Sequence, residues 1–220
     1  MQVRGSVKID CMDPFEEIAD ERRALADQLA TLTPEQQATK SLCEAWSVHD
    51  VVAHLIMPFE VSTPKVALAV LMAGGSFDRA NERVTRRLAR RPFAEIVDVL
   101  RRKADSRFTP PGSGPQVPLV DVLVHGLDIR WPLGLHRDVP EPRLRMALTF
   151  LMTAPSGIVP KGALSGLRFE AEDIDWGHGS GPVISGTTDA LLLAGTGRVA
   201  ALDALAGDGV PILRGRLARL

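Results

Sequence analysis

In the stretch VPLVDVLVHGLDIRWPLG, residues 117–134, an apolar helix is predicted to begin at Pro118 and to stop at Pro132 and Gly134. Asp121 and His125 lie four residues apart within it. Because each residue turns about 100° around a helix, both side chains leave the same face one turn apart, and Asp128 shares that face. A carboxylate and an imidazole placed in this way lie within reach of one divalent cation, for which zinc is a good example.

Two ligands do not make a metal site, so a third must come from elsewhere in the chain. His54 is the best candidate, because it stands alone in the apolar run of residues 51–57. A single imidazole on an apolar helix face is more often a core histidine than a ligand, and spacing alone leaves both interpretations open. His49 points about 140° away from His54 around the helix, and we expect it at the surface.

Helices are predicted for most of the chain before and after this stretch. Asp13-Pro14 and Thr33-Pro34 are typical of capped helix starts, and Ser47 with Asp50 matches a capping box. Proline at positions 58 and 64 should kink the helical segment that begins at Ser47 or split it into two pieces. Helical segments cover residues 14–32, 47–73, 77–91, 92–107, 118–131 and 141–152. The long ones among them predict a bundle of about four or five helices.

The composition of the chain changes after Ala154. Residues 167–172 alternate apolar and charged side chains, residues 182–185 resemble a second strand, and the glycine-rich residues 177–181 predict a turn between them. Two short helices are predicted over residues 190–193 and 199–206, and a last strand near Ile212. The predicted fold is therefore mainly α, with an up-down helical bundle over residues 1–154 and a small α+β domain over residues 155–220 that packs on it.

The amino-acid composition excludes several classes of protein and of site. The chain has 220 residues, a formal net charge of −1 and 45% hydrophobic residues, which excludes a polybasic nucleic-acid binder and a disordered chain. Its two cysteines, Cys11 and Cys43, cannot build a disulfide framework or a cysteine-rich zinc site, and we expect both to be free structural thiols. Tyrosine is absent, so no phenol can act as a general acid.

The sequence also predicts where the protein works and what it does not bind. No signal-peptide pattern and no run of about 18 apolar residues occurs, so we expect a cytoplasmic protein with no membrane partner. Arginines repeat at near-helical spacing over residues 79–91, and such a stripe is usually a solvated face rather than a nucleic-acid site. The oligomeric state, monomer or homodimer, stays open.

Three segments carry a resemblance to a known family: LCEAWSVHDVVAHLI (residues 42–56), the stretch quoted first, and GPVISGTTDALLLAGTGRVAALDALAGDG (residues 181–209). Together they resemble the mycothiol-dependent maleylpyruvate isomerase family, which joins a metal-binding bundle of the DinB type to a small C-terminal α+β domain. The resemblance implies that His54, Asp121 and His125 hold the metal. The family's carboxylate is typically glutamate, so Asp121 is one methylene shorter.

The same resemblance implies thiol chemistry. A divalent metal such as zinc would activate a low-molecular-weight thiol, mycothiol in the family, for addition to a small electrophilic substrate, in an isomerase or a thiol transferase. Arg198 resembles a family arginine that could clamp a substrate carboxylate, although the tryptophan that usually precedes it is replaced by Ala194-Gly195-Thr196. The alternative is a non-catalytic metal- or ligand-binding protein of the same fold, with a structural or degenerate site.

Overall fold

Helices follow one another through the first part of the chain. The computed structural model describes residues 13–43, 45–154 and 157–219, so Cys11 lies outside it. The helices are α1 (Pro14–Leu29), α2 (Pro34–Ala38), α3 (Val48–Leu55), α4 (Met57–Glu60), α5 (Thr63–Met72), α6 (Phe77–Leu88), α7 (Phe93–Arg102), α8 (Gln116–Leu133) and α9 (Glu141–Thr153). No helix of the described residues is long and apolar enough to cross a bilayer.

The predicted capping signals are confirmed where they bear on the site. Asp13 accepts the N–H of Phe15 at the start of α1. Ser47 and Asp50 form a reciprocal capping box at the start of α3, the helix that carries His54. Because these side chains satisfy backbone donors that the first helical turn leaves unpaired, they fix where α3 begins and therefore which face His54 occupies.

Helix α8 lies at the centre of the bundle and is buried on nearly every side. It packs against α1, α3 and α9 and against residues 188–195 of the C-terminal unit. Val122 and Ile129 join an apolar cluster with α1, α3 and α7, whereas Leu119, Leu123 and Leu127 join a second cluster with α9 and the C-terminal unit. A helix that is buried on all sides has a nearly continuous apolar sequence, so the few polar residues within it indicate a specific role.

The C-terminal unit contains β1 (Arg168–Ala171), β2 (Gly177–Gly179), β3 (Val183–Gly186), α10 (Thr188–Gly195), a 3-10 helix (Val199–Ala204) and α11 (Val210–Leu217). Its sheet has the order β2-β1-β3, with β1 antiparallel to β2 and parallel to β3. Phe169 and Ile184 are neighbours in that sheet and share a core with Leu148 of α9. The predicted fold class is confirmed, while the boundary after Ala154 stays a prediction.

Two details of the C-terminal prediction are wrong. The segment near Ile212 is helix α11 rather than a strand, because proline at the first turn and apolar residues at Val210, Leu213 and Leu217 give it a helical start and a helical buried face. Residues 177–179 form strand β2, where we predicted only a turn. The glycine-rich sequence of β2 has no strand pattern of its own, because the strand is held by backbone pairing with β1 rather than by its side chains.

Candidate metal centre

The three predicted metal ligands lie together where α3 packs against α8. The Nε2 atom of His54 is 3.9 Å from Oδ1 of Asp121, and Nε2 of His125 is 3.5 Å from the same oxygen. The two imidazole rings meet edge to face with their centroids 4.8 Å apart. One nitrogen from each histidine and one carboxylate oxygen therefore surround a common point.

The second nitrogen of each imidazole already has a partner. Nδ1 of His54 donates to Oδ1 of Asn81 on α6 at 3.1 Å, and Nδ1 of His125 donates to Oδ2 of Asp128 at 2.8 Å. Such bonds fix the ring orientation and leave Nε2 free to coordinate, as they do in metalloproteins. Two imidazoles and a carboxylate are the donor set of known catalytic zinc sites, so these residues fit a divalent ion.

The charges around His125 explain its protonation. Burial alone would lower the pKa of His125, but its hydrogen bonds to Asp128 and Cys43 and the charge of Asp121 raise it to about 10. Burial would likewise raise the pKa of Asp121, whereas the nearby imidazoles of His54 and His125 and the charge of Arg22 hold it below its usual value. An imidazolium and a carboxylate thus stabilise one another, and His125 must lose its proton before it can coordinate a cation.

Asp128 joins the metal face to the C-terminal unit. Its carboxylate is fully buried and accepts from Arg198 twice, at 2.9 Å from Nε and 2.7 Å from Nη2, in addition to His125. Burial would raise the pKa of Asp128, but these hydrogen bonds and charges keep it far below its usual range. Asp128 and its neighbour Arg130 do not form a surface ion pair, since both side chains are buried and Arg130 faces Glu21.

Arg198 lines two cavities. A cavity of about 140 Å³ has Asp121, His125 and Arg198 in its wall, together with apolar side chains that include Val124 and Ile158. A second cavity, of about 420 Å³, is lined by Arg198 and Cys43 among others. The guanidinium also donates from Nη1 to the carbonyl oxygen of Thr196 at 3.0 Å. The structure therefore brings Arg198 to the same cavity as two of the predicted ligands, Asp121 and His125.

Sequence reasoning missed several residues at this site. Asn81 gave no signal, because it contacts His54 only after α6 packs on α3. Cys43 is more than a structural thiol, since its Sγ donates to Asp128 at 3.0 Å and lies 3.5 Å from Nη2 of Arg198. Its position just before the capping box of α3 was the only available hint.

Of the two aromatic residues at the start of α3, Trp46 and His49, only His49 differs from the expectation. Trp46 lies against His54 with ring centroids 5.0 Å apart, in addition to packing on the apolar cluster as a residue before a helix cap does. His49 is half-buried rather than at the surface, because its Nε2 meets the carbonyl oxygen of Arg91 and its ring packs on the edge of Phe93.

Comparison with known proteins gives one sequence family and one fold. The family model described as the mycothiol maleylpyruvate isomerase N-terminal domain matches residues 18–130. A crystal structure of a histidine-to-alanine mutant of the mycothiol-dependent maleylpyruvate isomerase shares the fold, with a TM-score of 0.58, 18% identity and coverage of 89% of this chain and 93% of that one. A second crystal structure of that enzyme has the same identity and coverage and a TM-score of 0.49. Curated protein sequences give no match.

Proposed function

The chain belongs to the family of the mycothiol maleylpyruvate isomerase N-terminal domain, and from this premise we propose that it is a metal-dependent isomerase or transferase that uses a low-molecular-weight thiol. The observation that carries the proposal is the convergence of His54, Asp121 and His125 beside a cavity. Three protein ligands leave a coordination position for an exogenous group, which is the arrangement of catalytic rather than structural zinc sites.

The donor set suits a thiol reaction. A divalent ion held by these residues would supply a Lewis acid that lowers the pKa of a coordinating thiol, for which mycothiol is the family's example. Addition of the thiolate to an activated double bond, rotation about the resulting single bond and elimination of the thiolate would interconvert cis and trans isomers. If the anionic adduct takes up the proton that the thiol lost, instead of eliminating the thiolate, the same addition transfers the thiol to the substrate.

The remaining residues would bind and shield the substrate. Arg198 donates from Nε and Nη2 to Asp128, and one N–H of Nη1 donates to the carbonyl oxygen of Thr196. The second N–H of Nη1 can therefore donate to a substrate carboxylate. Val124 and Ile158 in the wall of the 140 Å³ cavity would exclude water from the reacting carbons. The small volume favours a compact electrophile, with maleylpyruvate as the first candidate.

The proposal is tested by turnover of maleylpyruvate in the presence and absence of thiol. We expect isomerisation that requires both mycothiol and a bound divalent ion, and that falls about 100-fold or more in Arg198→Ala because the carboxylate contact is lost. The exposed Arg168→Ala variant is the control and should retain activity. Stoichiometric metal with no thiol-dependent reaction on any electrophile would indicate the alternative, a non-catalytic site of the same fold.

A further inference from the structure

Helices α5 and α6 form a hairpin that presents apolar side chains to solvent. None of the residues of α5 is buried, although the helix is rich in valine, leucine and alanine. The large exposed side chains of the hairpin are Leu68, Leu71, Met72 and Phe77, of which Leu71 is 74% and Met72 72% exposed. These four residues, which we call the hairpin tip, lie within ten positions of one another. A cluster of this kind usually marks an interaction surface.

The hairpin is also basic. Residues 63–88 contain five basic and two acidic side chains, a net charge of +3 in a chain whose total is −1. Two arginines border the hairpin tip directly: Nη1 of Arg83 donates to the carbonyl oxygen of Met72 at 3.3 Å, and Nη2 of Arg79 reaches Gly74 in the connecting turn. Neither arginine has an ion-pair partner among the described residues. Positive charge therefore surrounds exposed apolar surface.

We propose that the hairpin tip and the arginines of α6 form a docking surface for an anionic lipid bilayer. Leucine, methionine and phenylalanine side chains gain free energy when they enter the boundary between headgroups and acyl chains. Guanidinium groups at the rim of the patch would meet lipid phosphates, which they recognise through paired N–H donors. The protein would lie on the membrane surface without crossing it, in contrast to our expectation of no membrane partner.

Charge complementarity favours a lipid surface over the two other binding partners considered, a second copy of the chain and a nucleic acid. A second copy of the chain in a symmetric contact would bring the same arginines near one another around the patch, where like charges repel. A nucleic acid would satisfy the arginines but would leave Leu68, Leu71 and Met72 without suitable partners. Phe77 is the only aromatic residue of α5 and α6 that could stack on bases. An anionic bilayer satisfies both the charged and the apolar parts.

Co-sedimentation of the full chain with large vesicles tests the proposal. We expect binding to vesicles of mixed phosphatidylcholine and phosphatidylglycerol, little binding to phosphatidylcholine alone, and release as the salt concentration rises. The double variant Leu71→Glu/Phe77→Glu should reduce binding by at least about 10-fold. Arg83→Gln, which keeps the apolar residues, should reduce it about fivefold.

The control is Ile212→Glu, which places the same charge at an exposed apolar position of α11 and should bind as the unmodified chain does. Thermal melts and metal content establish that each variant is folded. If the double variant does not fold, vesicle binding by Arg83→Gln alone tests the proposal. Failure to bind anionic vesicles overturns the proposal. So does a dimer in size-exclusion chromatography that Leu71→Glu disrupts, or binding to a single-stranded oligonucleotide in preference to the vesicles.

Discussion

Replacing His125 with alanine is expected to remove the metal from the protein. Protein purified without chelator should contain about one divalent ion per chain, and His125→Ala should contain almost none, because only one histidine and one carboxylate remain. His54→Ala should have the same effect, since each histidine supplies one Nε2 to the common point. Elemental analysis of the purified proteins measures the loss, and competition with a chromogenic chelator should show zinc affinity reduced at least about 100-fold.

The matched control for these variants is His178→Ala. His178 lies in the exposed strand β2, far from the three ligands in sequence, and its removal should leave the metal content unchanged. Equal metal content in His125→Ala and in the unmodified chain would show that the ion, if one is bound, is held elsewhere. The assignment of all three ligands would then fail together.

Asp128→Asn is expected to weaken both the metal site and the fold. The variant replaces a buried carboxylate that accepts from His125 and Arg198 with an amide that has one acceptor oxygen and no charge. Loss of a buried charge partner costs about 3 kcal/mol, and it should lower the Tm by roughly 6–12 °C in a chain of this size. Because the Nδ1 partner of His125 is altered, we also expect metal affinity to fall about 10- to 100-fold.

Calorimetry and metal titration measure the two effects, and Asp138→Asn is the control. Asp138 also contacts a histidine, with 3.1 Å between its Oδ1 and Nε2 of His136, but both side chains are exposed to solvent. An exposed pair of this kind contributes little, so Asp138→Asn should change the Tm by less than about 2 °C. If Asp128→Asn behaves like Asp138→Asn, then Asp128 does not link His125 to Arg198 in solution.

The parts of the site that follow from local sequence could be predicted. Helical phase placed Asp121, His125 and Asp128 on one face, and the capping box fixed the start of the helix that carries His54. Spacing alone could not decide whether His54 belonged to the core or to the site. The resemblance of three segments to a family supplied that step, and the structure then brought the three side chains together.

The parts that depend on contacts between distant segments could not be predicted. Arg198 is 70 residues from Asp128, and Asn81 is 27 residues from His54, so neither hydrogen bond has a local pattern. The exposure of the hairpin tip could not be predicted either, because the apolar sequence of α5 is that of an ordinary buried helix. Only the packing shows that no other described element covers them.

The central claim is that His54, Asp121 and His125 hold a divalent ion with a position open to a thiol. Titration of the cobalt-substituted protein with mycothiol tests it most directly, since coordination of a thiolate to cobalt produces a sulfur-to-metal charge-transfer band in the near ultraviolet. We predict a saturable band that reaches one thiol per metal and is absent in His125→Ala. Cobalt-loaded protein whose spectrum does not change with mycothiol or with other cellular thiols would contradict the account.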